Sequence, residues 1–417
     1  MTEGFNQPLR DTLWGHVYLT PALADLTLAA PFMRLHRIMQ LGPVYRLYPG
    51  ATHMRAGHSV GVYHLGRRLL QNLAERGADA WLGASGAMSF LCACLLHDLG
   101  HFPYAHSLKE LPLESHEALT RRLVLAQPLA KLISRCGADP ELTAAIVDRD
   151  FVPASGAGTE LLFYRKLLSG CLDPDKLDYL SRDAAYCGVP YGMQDVDFIL
   201  SRISPHPERG TDIDSRLIPN VEAILFAKYL MYRTVYWHRE VRACTSMIKK
   251  VLLSALAAGR IAGEELYGLD DAGLFALLRE RTGSPLAEAV MEGALYSQVA
   301  EIPYDAARHS GLKDIGKRSL HEAALADKLR SAGLTLGDED LVIDLPEPVS
   351  FETGLFVADR RRYFSAGAGA FDARTMDTFV RSLYVIRVFA SVNICRQIKT
   401  PDGLCDILYD TEGWLRP

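Results

Sequence analysis

His97 and Asp98 stand side by side in the stretch CLLHDLGHFPYAH, Cys94 to His106. An imidazole beside a carboxylate is a ligand pair suited to zinc, iron or manganese, and histidine also titrates near neutral pH. Neighbouring residues on a helix diverge by ~100°, so the two should not face each other, but both can lean toward one ion off the helix flank. His101 and His106 follow within the next turn and loop. A lone pair of this kind is more often a polar helix C-terminus. This pair is not alone: seven of the 13 histidines, His53, His58, His64, His97, His101, His106 and His116, fall between positions 53 and 116.

The elements that must position these groups can be read from spacing. The apolar run Leu91 to Leu96 predicts a helix that delivers His97 and Asp98 and stops at Gly100. Upstream, Phe32, Leu35, Ile38 and Met39 lie near a helical period over Ala30 to Leu41, with Gln40 at its end and Gly42-Pro43 as the stop. A second helix is expected from His58 to Arg76, with the stripe Val62, Leu65, Leu69 and Leu73 facing inward and His58 on the same face. ESHEALTRRLVL starts another, with His116 and Glu117 in its first turn.

The second informative stretch is CLDPDKLDYLSRDAAYCGVPYG. Asp173-Pro174 predicts a helix start, a capping carboxylate followed by proline in the first helical position, and Gly188 predicts its end. Lys176, Tyr179 and Asp183, spaced three and four apart, share one face. Asp175 lies in the first turn, where a favourable interaction with the helix dipole is explanation enough from sequence alone. A hairpin-like region follows, and then Val221 to Ala258, without glycine or proline, reads as one long helix. On it Lys228, Tyr232 and Tyr236 repeat every four residues, with Trp237 adjacent. From about residue 341, LVIDL, GLFVA and RRYFSA read as short strands, and a last amphipathic helix is expected through Phe379, Leu383, Ile386, Ala390 and Ile394.

The composition is that of an ordinary globular protein: 417 residues, 49% hydrophobic and 23% charged. A net charge of 45 minus 50, or −5, provides no global positive field, so neither nucleic acid nor an anionic membrane is an expected partner. Eight scattered cysteines with no CxxC pair suggest reduced thiols, and no signal peptide or membrane span is read, so a cytoplasmic location is expected.

With these residues in view, RAGHSVGVYHL, LLHDLGHFPYAH and DPDKLDYLSRDAAYCGV resemble the HD-domain metal-dependent phosphohydrolases. Within them the chain is similar to the deoxynucleoside triphosphate triphosphohydrolases of the sterile-alpha-motif-and-HD type and their bacterial relatives. The phrases QLG…YPGATH, RxxHSxGV, HDLGH and DKxDYxxRD occur in order over roughly residues 10 to 250, and no sterile-alpha-motif domain is expected in front. The resemblance implies a mainly α fold: an HD-domain helical bundle over residues 1–335 and a small mixed α/β C-terminal lobe over 336–417.

Carried across, the resemblance makes His58, His97, Asp98 and Asp175 the ligands of a divalent ion, Mn, Fe, Zn or Ni, with Mg a further partner of the nucleotide. Arg55, Lys176 and Lys228 would hold phosphates. Tyr179 and Asp183 would contact the sugar 3′-hydroxyl, with Gln40 below the ring, and Tyr236 is retained among the substrate-binding residues. His101, His106 and His116 would flank the α-phosphate, and His106 would be the general acid. The implied reaction is hydrolysis of a dNTP to deoxynucleoside and inorganic triphosphate by metal-activated water attacking the α-phosphorus.

Six positions depart from the family pattern. Lys109 replaces the acidic residue that orients His106, leaving Glu110 or Glu117 as substitutes. Trp237 replaces a polar base contact, and Lys228 replaces an arginine. At the positions that read a guanine effector stand Leu28, Met33 and His36. Neither Leu28 nor Met33 can accept the guanine N1 and N2 protons, so a strict GTP requirement is not expected, although another nucleotide could act as effector. A homo-oligomer is expected from the apolar area of the long helix and the C-terminal lobe. The rival readings are an HD phosphohydrolase or phosphodiesterase acting on other nucleotides or oligonucleotides, and a nucleotide-sensing scaffold with little turnover.

Overall fold

The computed structural model describes residues 4–397, apart from positions 155, 157 and 368. Strands β1 (Gln7–Asp11) and β2 (Gly15–Leu19) form an antiparallel hairpin, followed by the short helices α1 (Pro21–Thr27) and α2 (Ala30–Arg34). The long α3 (Arg55–Glu75) packs against α4 (Ala84–Leu96). Its expected stripe Val62, Leu65, Leu69 and Leu73 is buried, and His58 is buried with it. Helix α5 (His116–Leu125) is capped by the Ser115 hydroxyl, which accepts from the Ala118 amide at 3.1 Å. Helices α6 (Leu129–Arg135), α7 (Pro140–Val147) and α8 (Thr159–Leu168) continue the body, the last two against α4.

Helix α9 (Pro174–Cys187) begins and ends as the sequence predicts. The Asp173 carboxylate accepts from the Lys176 amide at 2.7 Å, Pro174 occupies the first turn, and Gly188 closes the helix in the left-handed region at φ 66°. A cap of this kind stabilises a helix by ~1 kcal/mol. Helix α9 packs across α3, which sets Asp175 opposite His58.

Three expected helices are shorter than their periodicity implies. Ala30–Leu41 is helical only to Arg34, with one 3-10 turn to Arg37, because residues 38–40 turn to pair with 53–55: the Gln40 amide donates to His53 O and the Arg55 amide to Ile38 O, each at 3.0 Å. Val221–Ala258 divides into α11 (Ile218–Met231) and α12 (Arg239–Ala257), which follow α10 (Val196–Ser201) and the hairpin of β3 (Ile203–His206) and β4 (Gly210–Ile213). Between α11 and α12 lies a π-type turn, Tyr232–Tyr236, closed by the Trp237 amide on Tyr232 O at 2.9 Å; such wide turns are frequent at functional sites. The supposed last helix is a helix over Ala373–Leu383 and then a strand, because VIRVFA is buried at every position and pairs on both edges.

The strands β5 (Ser297–Pro303), β6 (Leu341–Asp344), β7 (Phe356–Val357), β8 (Arg362–Tyr363) and β9 (Val385–Ala390) form two small sheets together with the β3–β4 hairpin. One has the order β5-β9-β6 and is antiparallel; the other has the order β3-β4-β7-β8, with β4 and β7 parallel. Each sheet therefore joins strands from either side of residue 336. Residues 398–417 of the expected lobe lie outside the described residues. No helix among the described residues is long and apolar enough to cross a membrane.

Candidate active site and metal centre

The C-terminal end of α4 and the start of α9 meet the first turns of α3, and there His58, His97 and Asp175 bring their ligand atoms within 4.8 Å of one another. Helix α4 ends at Leu96, one turn earlier than Gly100 suggests, so His97 and Asp98 lie in a turn and do not diverge: His97 Nε2 is 3.2 Å from Asp98 Oδ1. His97 Nδ1 lies 3.0 Å from Cys94 O and must carry the proton, since a carbonyl can only accept. That leaves the lone pair of Nε2 directed inward, buried beside Asp98 Oδ1 and with no hydrogen-bond donor among the described residues.

His58 is oriented in the same manner. Its Nδ1 is 2.9 Å from Asp178 Oδ2, which turns Nε2 to Asp175 Oδ1 at 3.1 Å. A lone pair facing a carboxylate needs a cation between them. Burial opposes charge on this imidazole, but the hydrogen bonds and fields of Asp175 and Asp178 outweigh it and hold the pKa up at about 10. A proton or a divalent ion can supply that charge, and the donor set of His58, His97 and Asp175, with Asp98 beside them, fits a divalent ion. Asp98 is drawn partly away, since its Oδ2 accepts from Arg55 Nη1 at 2.7 Å.

Asp178, which the sequence reading did not single out, is the anchor of this arrangement. It accepts from Arg182 Nε and Nη2 at 2.8 and 2.9 Å and from Trp14 Nε1 at 2.5 Å, and Arg182 also meets Asp11 at 3.0 Å. The opening hairpin is thereby clamped onto the back of the metal group. The available signal was the i, i+4 spacing of Asp178 and Arg182 within DKLDYLSRD. Gly61 belongs to the same device: a β-carbon there would lie 1.9 Å from Asp178 Oδ1 and 2.5 Å from Arg182 Nη2. Gly61→Ala is therefore expected to cost ~1–3 kcal/mol by overpacking, and to weaken metal binding about tenfold through His58. Thermal melts and metal titration measure both, and an unperturbed Gly61→Ala protein would contradict the clamp. In the HDLGH phrase, Gly100 plays a related part: a β-carbon would meet His116 O at 2.1 Å, so glycine admits the start of α5.

His101, His106 and His116 form a second group with ligand atoms within 4.8 Å. His101 is fully buried, with Nε2 3.0 Å from His106 Nε2 and Nδ1 3.2 Å from Asp98 Oδ1. His106 faces the cleft; desolvation, then the charges of Arg55 and Lys109, hold its pKa down at about 3. Desolvation and then His106 bring His116 to about 3 as well. Neither proposed acidic substitute orients His106. Glu110 is bound by Arg318 and Lys249, and Glu117 sits 3.3 Å from His116 Nε2.

A cleft of about 480 Å³ opens over both groups. Gln40, Arg55, Tyr179, Asp183, Lys228 and Tyr236 line it, as do Trp237 and the segment 347–350. Lys176 does not: its ammonium donates to Asp173 Oδ2 at 2.7 Å and Gly170 O at 2.9 Å. Asp183 already accepts from Tyr236 Oη at 2.6 Å, and its other oxygen lies 2.8 Å from His53 Nε2. Leu28, Met33 and His36 are exposed around α1 and α2, outside the cleft.

Comparison with known proteins gives a consistent result. The HD domain family matches residues 55–183, and an HD associated region matches residues 208–362. The uncharacterized protein YwfO of Bacillus subtilis (strain 168) is 32% identical over 246 residues, 58% of this chain and 54% of that protein. The deoxynucleoside triphosphate triphosphohydrolase SAMHD1 of Danio rerio is 26% identical over 330 residues, 72% of this chain and 52% of that protein. The chain thus spans about half the length of these curated relatives. In fold it is similar to a phosphohydrolase from Bacteroides thetaiotaomicron VPI-5482, with a TM-score of 0.70 at 22% identity, covering 93% of this chain and 100% of that one.

Proposed function

We propose that this chain, which belongs to the HD-domain superfamily, hydrolyses deoxynucleoside triphosphates to deoxynucleoside and inorganic triphosphate. The observation that carries the reading is one cleft lined by the group His58, His97, Asp98 and Asp175, by two of three clustered imidazoles, and by Gln40, Tyr179, Asp183 and Tyr236. A divalent cation held by the first group would act as a Lewis acid and bring the pKa of a water from ~15.7 toward ~7. Arg55, whose Nη1 is held by Asp98, lines the cleft and would present its guanidinium to an oxygen of the α-phosphate. Gln40, Tyr179 and the Tyr236–Asp183–His53 chain would hold the sugar and base end.

With its pKa held down at about 3, His106 is a neutral imidazole near neutral pH and has no extra proton to give. A triphosphate brings several negative charges beside it, and opposite charge favours the protonated form. Substrate binding would therefore charge His106, which then delivers its proton to the departing 5′-oxygen. The acid is armed by the molecule it acts on.

The test is the product. After incubation of each dNTP with the protein and Mn²⁺ or Mg²⁺, anion-exchange chromatography should find inorganic triphosphate and deoxynucleoside in equal amounts. Release of dNMP with pyrophosphate, or of orthophosphate, would overturn the reading.

A further inference from the structure

The segment between β6 and β7, residues 345–355, has no regular structure, yet Glu347, Pro348, Val349 and Ser350 line the cleft. It ends on a charge cluster. Lys228 Nζ donates to Ser350 O at 2.7 Å and lies 3.4 Å from Glu352 Oε2, which is 3.7 Å from Lys176 Nζ. The Lys228 ammonium also sits over the Phe351 ring, 5.4 Å from its centroid. Two lysines thus share the oxygen of one carboxylate. Their side chains are 8% and 14% exposed, whereas that of Glu352 is 42% exposed.

The two carboxylates around Lys176 are not equivalent. Asp173 is buried and committed to capping α9 through the Lys176 amide, so it cannot leave without cost to the helix. Glu352 belongs to an irregular segment, and its side-chain partners among the described residues are the two lysines and the Ser350 hydroxyl, at 3.2 Å. A carboxylate bridging two ammonium groups offers them oxygen acceptors and negative charge, which a terminal phosphate would supply with greater charge. Lys228 lines the same cleft as the metal group, and Lys176, bridged to it by Glu352, follows Asp175 in the first turn of α9. An anionic chain that begins at the metal group can extend to them.

We propose that Glu352 is a built-in stand-in for a distal phosphate, and that the 345–355 strap is displaced when a polyphosphate chain occupies Lys228 and Lys176. The strap then sets how much chain the cleft selects for: a short anion stays at the metal group, and a triphosphate gains the lysines only by expelling Glu352. This inference rests on the polyphosphate part of the functional reading, but it does not require turnover.

Calorimetric titration of the full chain with inorganic tripolyphosphate tests it. Glu352→Gln should bind tripolyphosphate about fivefold or more tighter than the wild type, within the range of couplings between contacting groups. Orthophosphate should gain much less. Lys228→Gln should weaken tripolyphosphate binding, and the gain from Glu352→Gln should vanish in the Lys228→Gln background. Hydrogen exchange in residues 345–355 should rise when tripolyphosphate is added to the wild type. Glu352→Ala, giving the same direction, guards against an effect peculiar to glutamine. Equal or weaker tripolyphosphate binding by both Glu352 variants, no binding by any form, or protection of the strap would overturn the proposal. Loss of dNTP hydrolysis with these binding results intact would overturn only the dNTPase reading.

Discussion

Asp98→Asn is expected to abolish stoichiometric divalent metal and to lower turnover by roughly 10³-fold or more, since water without the metal returns from a pKa near ~7 toward ~15.7. The amide keeps the carboxylate's shape and one acceptor for Arg55 Nη1, which Asp98 now holds at 2.7 Å. The effect therefore falls on the ion, not on packing. His58→Ala should act alike, because it removes the imidazole that faces Asp175 at 3.1 Å while leaving Asp178 bound to Arg182 and Trp14. Metal should raise the melting temperature of the wild type and not that of either variant, since ligands from separate helices couple binding to folding. Unchanged metal content in both variants, by elemental analysis, would show that the ion is held elsewhere.

Asp178→Asn should have the next largest effect, although Asp178 touches no substrate in this account. Four donors converge on its two oxygens: His58 Nδ1, Arg182 Nε and Nη2, and Trp14 Nε1. An amide has one acceptor oxygen, so at least one donor meets an NH₂ group. Losing the carboxylate behind a ligand histidine typically weakens metal binding ~10–100-fold. Breaking one side of a buried ion pair costs ~3–5 kcal/mol, eased here by Asp11, which still reaches Arg182 at 3.0 Å. The pH dependence carries the same signature. Burial raises the Asp178 pKa, but Arg182 and His58 win and hold it below the ordinary carboxylate value. Its stabilisation is then complete above the ordinary value and lost as pH falls through the depressed one. Asp178→Asn should flatten that acid limb of the melting curve; an unchanged limb and unchanged metal affinity would contradict the clamp.

What was legible in the sequence follows from how local each signal is. The α9 start at Asp173-Pro174, its end at Gly188 and the buried stripe of α3 depend on residues within a turn of one another, and the structure has them where the spacing puts them. The break at Trp237 and the strand Val385–Ala390 were not legible, because tertiary partners decide both. No glycine or proline marks Tyr232–Tyr236; the wide turn sits where Tyr236 reaches Asp183 from another helix. A strand buried on both faces reads as a continuous apolar run, which periodicity cannot separate from a buried helix. The same holds at the site. His58, His97, Asp98 and Asp175 converge, while Lys176 turns to Asp173 and Gly170 instead of the cleft. Asp11, Trp14 and Glu352 meet Arg182, Asp178 and Lys228 from over a hundred residues away in the chain, with no motif to announce them.

The most direct test of the central claim is the fate of the water oxygen. Hydrolysis of a dNTP in isotope-labelled water, followed by mass spectrometry of both products, identifies the atom attacked. Label is expected in the inorganic triphosphate and none in the deoxynucleoside, because attack at the α-phosphorus leaves the original 5′-oxygen on the sugar, to be protonated by His106. Label in the deoxynucleoside, or in a pyrophosphate or orthophosphate product, would contradict that claim.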